Sequence, residues 1–466
     1  MRILPFTILL CAGLALAQTD PGRREYETRC ARCHGADATG GEGGPNIQAQ
    51  IAARNANELA AFLRLGRPAS GMPAFDLPPQ EMTNLVAHLR TLAPMSRNAP
   101  PAIVRKKVET TAGETLEGQV LNQGPLDLQL RTDDKKIRLL RKSGERYRIV
   151  TSETDWPTYN GDPSGNRYTK LSEIDKGNVA HVAPRWIFPM PNVSQIENTP
   201  VVVEGIMYVS SANECFALDA GSGRLIWHYQ RARTKGVAGN AAIGFNRGVA
   251  WAGDRIFVLT DNAHLLGLNR FNGELLWETE MADWHSNYNG TAAPLVVGNL
   301  VISGTAGGDE GARGFLAAFD QSTGKEAWRF WTVPQPGEPG SETWTGKDAE
   351  HRSGDTWMTG TYDAETDTLY WPVGNPGPDF DGGERTGDNL YTDSVLALDP
   401  KTGKLKWYFQ FTPHDVHDWD AQEPPVIVDA NWQGQPRKLL LQANRNGFFY
   451  VLDRTTGQLL LAKPFL

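Results

Sequence analysis

The sequence predicts a multidomain protein in which a small all-α domain and a small β module precede an all-β propeller. Three patterns indicate this order. Apolar residues first recur at helical spacing, apolar and polar residues then alternate, and the remainder repeats a strand–turn–strand unit. With 466 residues the chain is long enough for two or three domains. We assign residues 18–94 to the helical domain, 95–150 to a linker with the β module, and 151–466 to the propeller.

Two amphipathic helices are predicted in the helical domain. Asn55 is placed to cap the first, and the second begins near Pro79. Their apolar faces consist of Leu59, Phe62 and Leu63 in the first helix and of Met82, Leu85, Val86 and Leu89 in the second. Both faces are expected to form an ordinary core.

The stretch Cys30–His34 has the C-x-x-C-H pattern that attaches c-type haem. Cys30 and Cys33 would bond the porphyrin and His34 would ligate the iron, with Met72 as the second axial ligand. The alternatives are a zinc half-site and a redox pair. Zinc needs a second ligand pair of similar spacing, which the sequence does not supply.

The β module runs from Val104 to Val150, with alternation at Leu126, Leu128 and Leu130. It carries several basic residues, among them Arg138, Arg141, Lys142, Arg146 and Arg148. They form either a docking face for the haem domain or a solvated strand edge, and we favour the edge because Lys and Arg commonly protect edges.

The propeller prediction rests on a repeat that ends in tryptophan. The units are Ala217–Trp227, Gly267–Trp277, Ala318–Trp328 and Ala397–Trp407, with a partial unit at Val451–Leu461. The first three tryptophans are spaced by about 50 residues, the length of one four-stranded blade. We expect the tryptophans to pack between blades and to bind no cofactor.

Composition and the amino terminus predict an exported protein. Arg2, the apolar run Ile3–Leu16 and a small-residue cleavage site predict a signal peptide at residues 1–17. The net charge of −8, with both signs interspersed, indicates neither a nucleic-acid nor a membrane-surface partner. No later run is apolar enough to span a bilayer, so we expect a periplasmic protein. Cys215 stands alone, which excludes a disulfide framework.

Residues 156–466 resemble the quinoprotein alcohol dehydrogenases, eight-bladed propellers that bind pyrroloquinoline quinone (PQQ) and a metal ion. The segments that carry the resemblance are Asp155–Asp162, Asn246–Gly248, Thr291–Pro294, Gly307–Gly314, Gly374–Pro376, Thr412–Asp415 and Asn444–Gly447. The amino-terminal part separately resembles class I cytochromes c. The resemblance implies a quinohaemoprotein dehydrogenase.

The resemblance places five residues around PQQ. Arg247, Thr291 and Glu197 match positions that contact cofactor oxygens. Trp357 matches the indole that stacks on the quinone. Arg445 matches the cation beside the quinone carbonyls, where it stabilises developing negative charge.

The resemblance also implies a metal site. Asp309 and Asn375 match metal ligands, and Asp418 matches a ligand that is also the catalytic carboxylate. Hard oxygen ligands suit calcium. Asp420 adds a further negative ligand, which in this family accompanies a lanthanide, so calcium and a lanthanide remain the two alternatives. Glu310 is an alternative to Asp309.

The sequence departs from the family pattern in three ways. Ala241 and Ala242 stand where many members have adjacent cysteines, so small side chains replace the disulfide ring against the quinone. Asp309 stands where Glu is usual. About five of the eight blades are present, which leads us to expect an incomplete propeller.

The expected function is oxidation of an alcohol by hydride transfer to metal-bound PQQ, with electrons relayed to the haem and then to a cytochrome or oxidase. A sugar or polyol dehydrogenase is the alternative within enzymes, on the basis of the segment Asn166–Tyr168. A non-catalytic propeller scaffold fused to an electron carrier is the alternative of another class.

Overall fold

The fold is seen in a computed structural model. It describes residues 21–34, 38, 47–52, 54–68, 72–92, 103–123, 127–150, 155–190, 193, 195–345 and 352–466. The predicted signal peptide and most of the predicted linker lie outside these residues. The chain divides into two compact units, 1–101 and 102–466, so the β module groups with the propeller. Within the described residues, every helix is too short or too polar to cross a membrane.

The amino-terminal unit is helical, as predicted. Its helices are α1 (Pro21–Arg29), α2 (Ala31–His34), α3 (Gln48–Ala52), α4 (Ala56–Leu65) and α5 (Pro79–Leu92). Asn55 caps α4: its side chain accepts a hydrogen bond from the Glu58 N–H at 3.0 Å, and Glu58 accepts one from the Asn55 N–H at 2.9 Å. This reciprocal pair satisfies two backbone donors that a helix start leaves unpaired. The predicted apolar residues of α4 and α5 meet in one core, with the exception of Phe62, whose ring lies against the Arg54 guanidinium.

The β module is a five-stranded antiparallel meander. Its strands are β1 (Arg105–Glu109), β2 (Thr115–Gln123), β3 (Asp127–Thr132), β4 (Ile137–Ser143) and β5 (Arg146–Val150). Arg141 was expected on a solvated edge, and this is wrong, because it is partly buried and ion-paired with Asp219 of the propeller. Arg131 pairs with Asp254 at 2.6 Å. The module therefore rests on the first two blades.

Five four-stranded antiparallel sheets follow, each in simple sequence order. The first two blades consist of β6 (Val201–Val203), β7 (Ile206–Ser211), β8 (Glu214–Asp219) and β9 (Leu225–Gln230), then β10 (Ala250–Ala252), β11 (Arg255–Leu259), β12 (His264–Asn269) and β13 (Leu275–Glu280). The third consists of β14 (Leu295–Val297), β15 (Leu300–Gly304), β16 (Phe315–Asp320) and β17 (Glu326–Trp331). The last two consist of β18 (Thr361–Asp363), β19 (Thr368–Pro372), β20 (Ser394–Leu398) and β21 (Leu405–Gln410), then β22 (Val426–Trp432), β23 (Gln435–Ala443), β24 (Phe448–Asp453) and β25 (Leu459–Pro464). A short helix, α6 (Gly239–Ala242), precedes the second blade.

The repeat tryptophans join consecutive blades. The indole N–H of Trp227 donates to the Arg270 carbonyl at 2.8 Å, and that of Trp277 donates to the Gln321 carbonyl at 3.0 Å. Each ring also lies against the turn glycine of the next blade, where a side chain would clash. The predicted inter-blade role is confirmed.

Trp186 makes the corresponding contact on the first blade, with its indole N–H donating to the Ala220 carbonyl at 3.0 Å. It lies outside the repeat, and the sequence pattern did not identify it.

Candidate active site

The predicted propeller residues occupy two kinds of loop that open on one face. Glu197, Arg247, Thr291, Trp357, Asp418 and Asp420 lie a few residues before the first strand of a blade. Asp309, Asn375 and Arg445 lie between the second and third strands. In an antiparallel meander the first strand starts at the same end at which the second strand turns into the third. All nine residues are therefore presented at the same end of their blades.

Arg247 organises the first group. It is 8% exposed, and its Nη2 atom lies 2.9 Å from the Glu197 carboxylate. Its guanidinium carbon lies 4.5 Å from the centre of the Trp357 ring, and its backbone N–H donates to the Thr291 carbonyl at 3.0 Å. Tertiary folding thus places a buried cation, an indole face and a threonine side by side.

Burial lowers the pKa of Arg247, because a desolvated cation is disfavoured, while Glu197, Tyr159 and Asp420 act to raise it. This influence of Asp420 connects the first group to the carboxylates described next. A buried cation beside an indole face suits a flat, anionic ligand. The set of residues fits PQQ on that ground.

The second group centres on Arg445. Its Nη1 atom lies 3.0 Å from Asp420 Oδ2, and its Nη2 atom lies 3.9 Å from Asp418 Oδ2. The other carboxylate oxygen of Asp420 accepts a hydrogen bond from the Asn375 N–H at 3.2 Å. Three loops of the fourth and fifth blades are joined in this way.

The turn that carries Asp418 and Asp420 is held by Asp415. The buried Asp415 carboxylate accepts hydrogen bonds from the N–H groups of His417 at 2.9 Å and Trp419 at 2.7 Å. Asp418 and Asp420 both have left-handed backbone conformations, with φ of 58° and 49°. Such conformations are uncommon for residues other than glycine and concentrate at functional sites.

The carboxylates of this group raise one another's pKa. Burial and then Asp418 raise the pKa of Asp420 to about 7, against the opposing effect of Arg445. Asp309 keeps some solvent exposure, but loss of hydration, followed by repulsion from Asp379, Glu310 and Asp418, raises its pKa to about 6. A cation between these carboxylates would relieve this repulsion.

The donor set therefore fits a calcium or lanthanide ion in its chemistry, since it offers carboxylate and amide oxygens. Within the described residues, no three His, Cys, Asp or Glu side chains are already close enough together to hold a metal ion. Arg445 instead pairs with one carboxylate oxygen of Asp420, and the other accepts a hydrogen bond from the Asn375 N–H. The assignment of Asp309, Asn375, Asp418 and Asp420 as metal ligands stays a prediction.

The structure separates the two carboxylates of the Asp309–Glu310 pair. Glu310 points toward α6, where a Cβ added to Gly239 would lie 3.0 Å from its Oε1 atom. Repulsion from Asp379 and Asp418 helps to raise the pKa of Asp309. In α6 the side chain of Ala241 is buried and that of Ala242 is exposed, and the carbonyls of both accept hydrogen bonds from Arg233.

Three further carboxylates at this site were missed. Asp379 accepts a hydrogen bond from the Asn375 amide at 2.9 Å. Asp355 and Asp393 are buried, and burial raises the pKa of each well above its ordinary value. The sequence signal that could have identified Asp355 is its position two residues before Trp357.

The predicted haem residues all lie in the amino-terminal unit. Cys33 and His34 lie on α2, and their N–H groups donate to the Cys30 carbonyl at 3.0 and 2.9 Å. Met72 packs against the same apolar core that includes Cys30. Burial raises the pKa of the Cys30 thiol to about 11. These residues fit a covalent c-type haem.

Two protein families match the chain. Residues 156–462 match the family of the PQQ type described as glucose/ethanol/alcohol dehydrogenase, beta-propeller domain. Residues 17–89 match cytochrome c oxidase, cbb3-type, subunit III. These matches confirm the predicted fold class and the predicted pairing of a cytochrome c unit, with haem c, and a PQQ propeller.

Individual proteins resemble the chain over about two thirds of its length. A quinohemoprotein alcohol dehydrogenase, ADH IIB of Pseudomonas putida, is 38% identical over 331 residues, which are 67% of this chain and 47% of that protein. A quinohemoprotein alcohol dehydrogenase of Comamonas testosteroni is 37% identical over 346 residues, 70% of this chain and 49% of that protein. A europium-containing methanol dehydrogenase of known structure superposes with a TM-score of 0.65 at 32% identity, covering 68% of this chain and 59% of that one.

The chain spans about half the length of the curated relatives it matches. The family match itself covers well over half of the chain and includes all five blades. The chain belongs to the PQQ-type glucose/ethanol/alcohol dehydrogenase β-propeller family.

Proposed function

We propose that this protein oxidises an alcohol to a carbonyl compound and passes the two electrons, one at a time, to its own haem c. Bound PQQ would accept the hydride of the alcohol carbon, and a carboxylate of the protein would accept the hydroxyl proton. The observation that carries this proposal is the contact of Arg445 with both Asp418 and Asp420, beside Asn375, on the face where Arg247 and Trp357 also lie.

Arg247, Thr291 and Glu197 would hold the edge of the cofactor, and the indole of Trp357 would support its flat face. When bound, PQQ accepts the hydride, and the metal ion polarises the oxygen next to the reacting carbon. Arg445 places a positive charge where negative charge develops in the transition state.

Asp418 is the candidate base. Its side chain is 37% exposed, whereas that of Asp420 is 9% exposed, so a substrate reaches Asp418 first. Burial raises the pKa of Asp418, with Asp379 and Asp415 adding to the effect and Arg445 opposing it. A raised pKa strengthens a carboxylate as a proton acceptor.

The metal is calcium or a lanthanide, held by Asp309, Asn375, Asp418 and Asp420. Asp420 joins Asp309 and Asp418 as the third carboxylate of this set, and a third negative charge favours a trivalent ion. Similarity to a europium-containing methanol dehydrogenase supports the lanthanide alternative.

We further propose a periplasmic location and a cytochrome or oxidase as the electron acceptor. A covalent haem on the same chain supplies a one-electron carrier at high effective concentration. The predicted signal peptide supports export.

The sugar or polyol alternative loses its support. It rested on Asn166–Tyr168, and within that segment Arg167 donates to Asn160 at 2.9 Å and stacks on Tyr159 at 4.7 Å. These contacts give the segment a structural role. A scaffold would not need the charged site.

Reduction of the haem by substrate tests the proposal. Protein with oxidised haem is incubated with PQQ and either Ca²⁺ or La³⁺, and a series of primary alcohols and sugars is added. We expect the reduced haem α-band to appear with alcohols, to require PQQ, and to be lost in Asp418→Asn. Haem that is reduced by dithionite but by no alcohol would contradict the proposal.

A further inference from the structure

We propose that Asp379 is a positioning residue: by accepting the hydrogen bond of the Asn375 amide nitrogen, it leaves the amide oxygen free to ligate a metal ion. The inference rests on the proposed metal site and adds a residue to it. Asp379 was not among the residues that the sequence or the family resemblance identified.

The backbone of Asn375 is held from both sides. Its N–H donates to Asp420 Oδ1 at 3.2 Å, and its carbonyl accepts from the Gly354 N–H at 2.9 Å. The residue is 4% exposed. With its backbone fixed, the main remaining freedom is the side-chain torsion that exchanges the amide oxygen and nitrogen, which is broad and roughly two-fold.

Asp379 removes that freedom. The Asn375 Nδ2 atom donates to Asp379 Oδ1 at 2.9 Å. A carboxylate only accepts, so it selects the orientation with the NH₂ group toward Asp379 and the oxygen away from it. Among the described residues nothing donates a hydrogen bond to the Asn375 oxygen, which leaves it available to a hard cation.

Arg385 holds the loop that carries Asp379. This side chain is fully buried and donates to the Pro378 carbonyl at 2.9 Å and to the Asp415 carbonyl at 2.5 Å. One guanidinium thus ties the Asn375–Asp379 loop to the loop that leads to Asp418. The backbone that carries Asp379 is therefore held in place by Arg385.

Groups that orient a metal ligand typically change metal affinity by about 10- to 100-fold when removed. Asp379 has a second possible role, as a direct ligand or a source of negative charge. The two roles differ in one respect. Only the positioning role acts through the NH₂ group of Asn375.

A double-mutant cycle separates the roles. The full-length haem-containing protein, saturated with PQQ, is dialysed to equilibrium against buffered La³⁺ and, separately, Ca²⁺, and bound metal per haem is measured by mass spectrometry. The variants are Asp379→Ala, Asn375→Asp and the double substitution. Asn375→Asp replaces the amide with a carboxylate that has no nitrogen to misplace.

We expect Asp379→Ala to weaken binding of both ions by about 10- to 100-fold in the original background. In the Asn375→Asp background, Asp379→Ala is expected to weaken metal binding by less than about threefold. The effects of two residues that act through the same contact are not additive. Asp379→Asn, which keeps an acceptor oxygen, is expected to recover part of the loss. Asp381→Ala is the matched control, since Asp381 is an exposed carboxylate of the same loop that caps a turn at Gly383.

If Asp379→Ala weakens metal binding equally in both backgrounds, the positioning role is overturned, and a role as a direct ligand or a source of negative charge is favoured. Unchanged metal affinity of Asp379→Ala in the original background would overturn both roles. Protein that binds neither ion would overturn the metal site of the proposed function together with this inference. Coupling found in a protein that oxidises no alcohol would support the inference while contradicting the proposed function.

Discussion

Arg445 lies between Asp420, at 3.0 Å, and Asp418, at 3.9 Å, and so joins the fifth blade to the loop that carries the candidate base. One guanidinium thus offsets the negative charge of two carboxylates, one partly exposed and one buried. A planar, forked cation suits this arrangement better than a point charge.

Arg445→Met is expected to lower the rate of alcohol-dependent haem reduction by about 10²- to 10³-fold, the range for loss of one group that stabilises transition-state charge. Stopped-flow absorbance of the haem measures this rate. Arg437→Met is the control, because Arg437 pairs with Asp453 at 3.1 Å in the same blade, away from the site. Equal rates in the two variants would contradict a role for Arg445.

Asp420→Ala is expected to reduce affinity for La³⁺ more than affinity for Ca²⁺, because a lost negative charge costs a trivalent ion more. Competitive dialysis of the two ions with metal analysis gives the ratio. Equal losses for both ions would argue against Asp420 as a determinant of ion charge. Fully active protein that contains only calcium would rule out the lanthanide alternative.

Gly324→Ala is expected to destabilise the propeller by more than Gly298→Ala. Both glycines have left-handed backbones, with φ of 71° and 58°, so both variants incur about 1–2 kcal/mol from that conformation. A Cβ at Gly324 would lie 2.5 Å from the Trp277 ring, whereas Gly298 faces open space. Overpacking adds about 1–3 kcal/mol at Gly324 only. Urea unfolding compares the two, and equal midpoints would contradict the docking role of Trp277.

Glu278 is expected to make stability depend on pH in the acid range. Burial acts to raise its pKa, but hydrogen bonds from His264 at 2.6 Å and Arg231 at 2.5 Å lower it to about 2. A lowered folded-state pKa contributes stability that is present above the unfolded value near 4.5 and is lost as pH falls toward 2. The stability difference between the original protein and Glu278→Gln, measured by urea unfolding, should shrink over that window. A difference that stays constant from pH 7 to pH 3 would contradict this.

Met72→Ala is expected to lower the midpoint potential of the haem, because thioether ligation raises it. Its backbone is paired with Arg67 through hydrogen bonds of 2.9 and 3.1 Å, which hold the loop near the core. Redox titration followed by haem absorbance measures the potential. An unchanged potential would exclude Met72 as the axial ligand.

Much of the architecture was predictable because its signals are local. The spacing of Leu85 and Leu89 and the cap at Asn55 act within a few residues of one another, and the repeat that ends in tryptophan is visible in the sequence itself. The same holds for Cys30, Cys33 and His34, which share a single turn. The residues of the propeller site required the family resemblance, since single carboxylates in loops have no distinguishing pattern.

The amino-acid sequence by itself determined the helical unit, the haem attachment pattern and the repeat of four-stranded blades. Only the tertiary structure decided that Arg445 pairs with Asp420, that Asp379 holds the Asn375 amide, and that Arg141 packs against the propeller. The reason is physical. Periodicity and caps depend on neighbours in the chain, whereas the partners, burial and pKa of a loop carboxylate depend on loops that meet only when the blades have packed together.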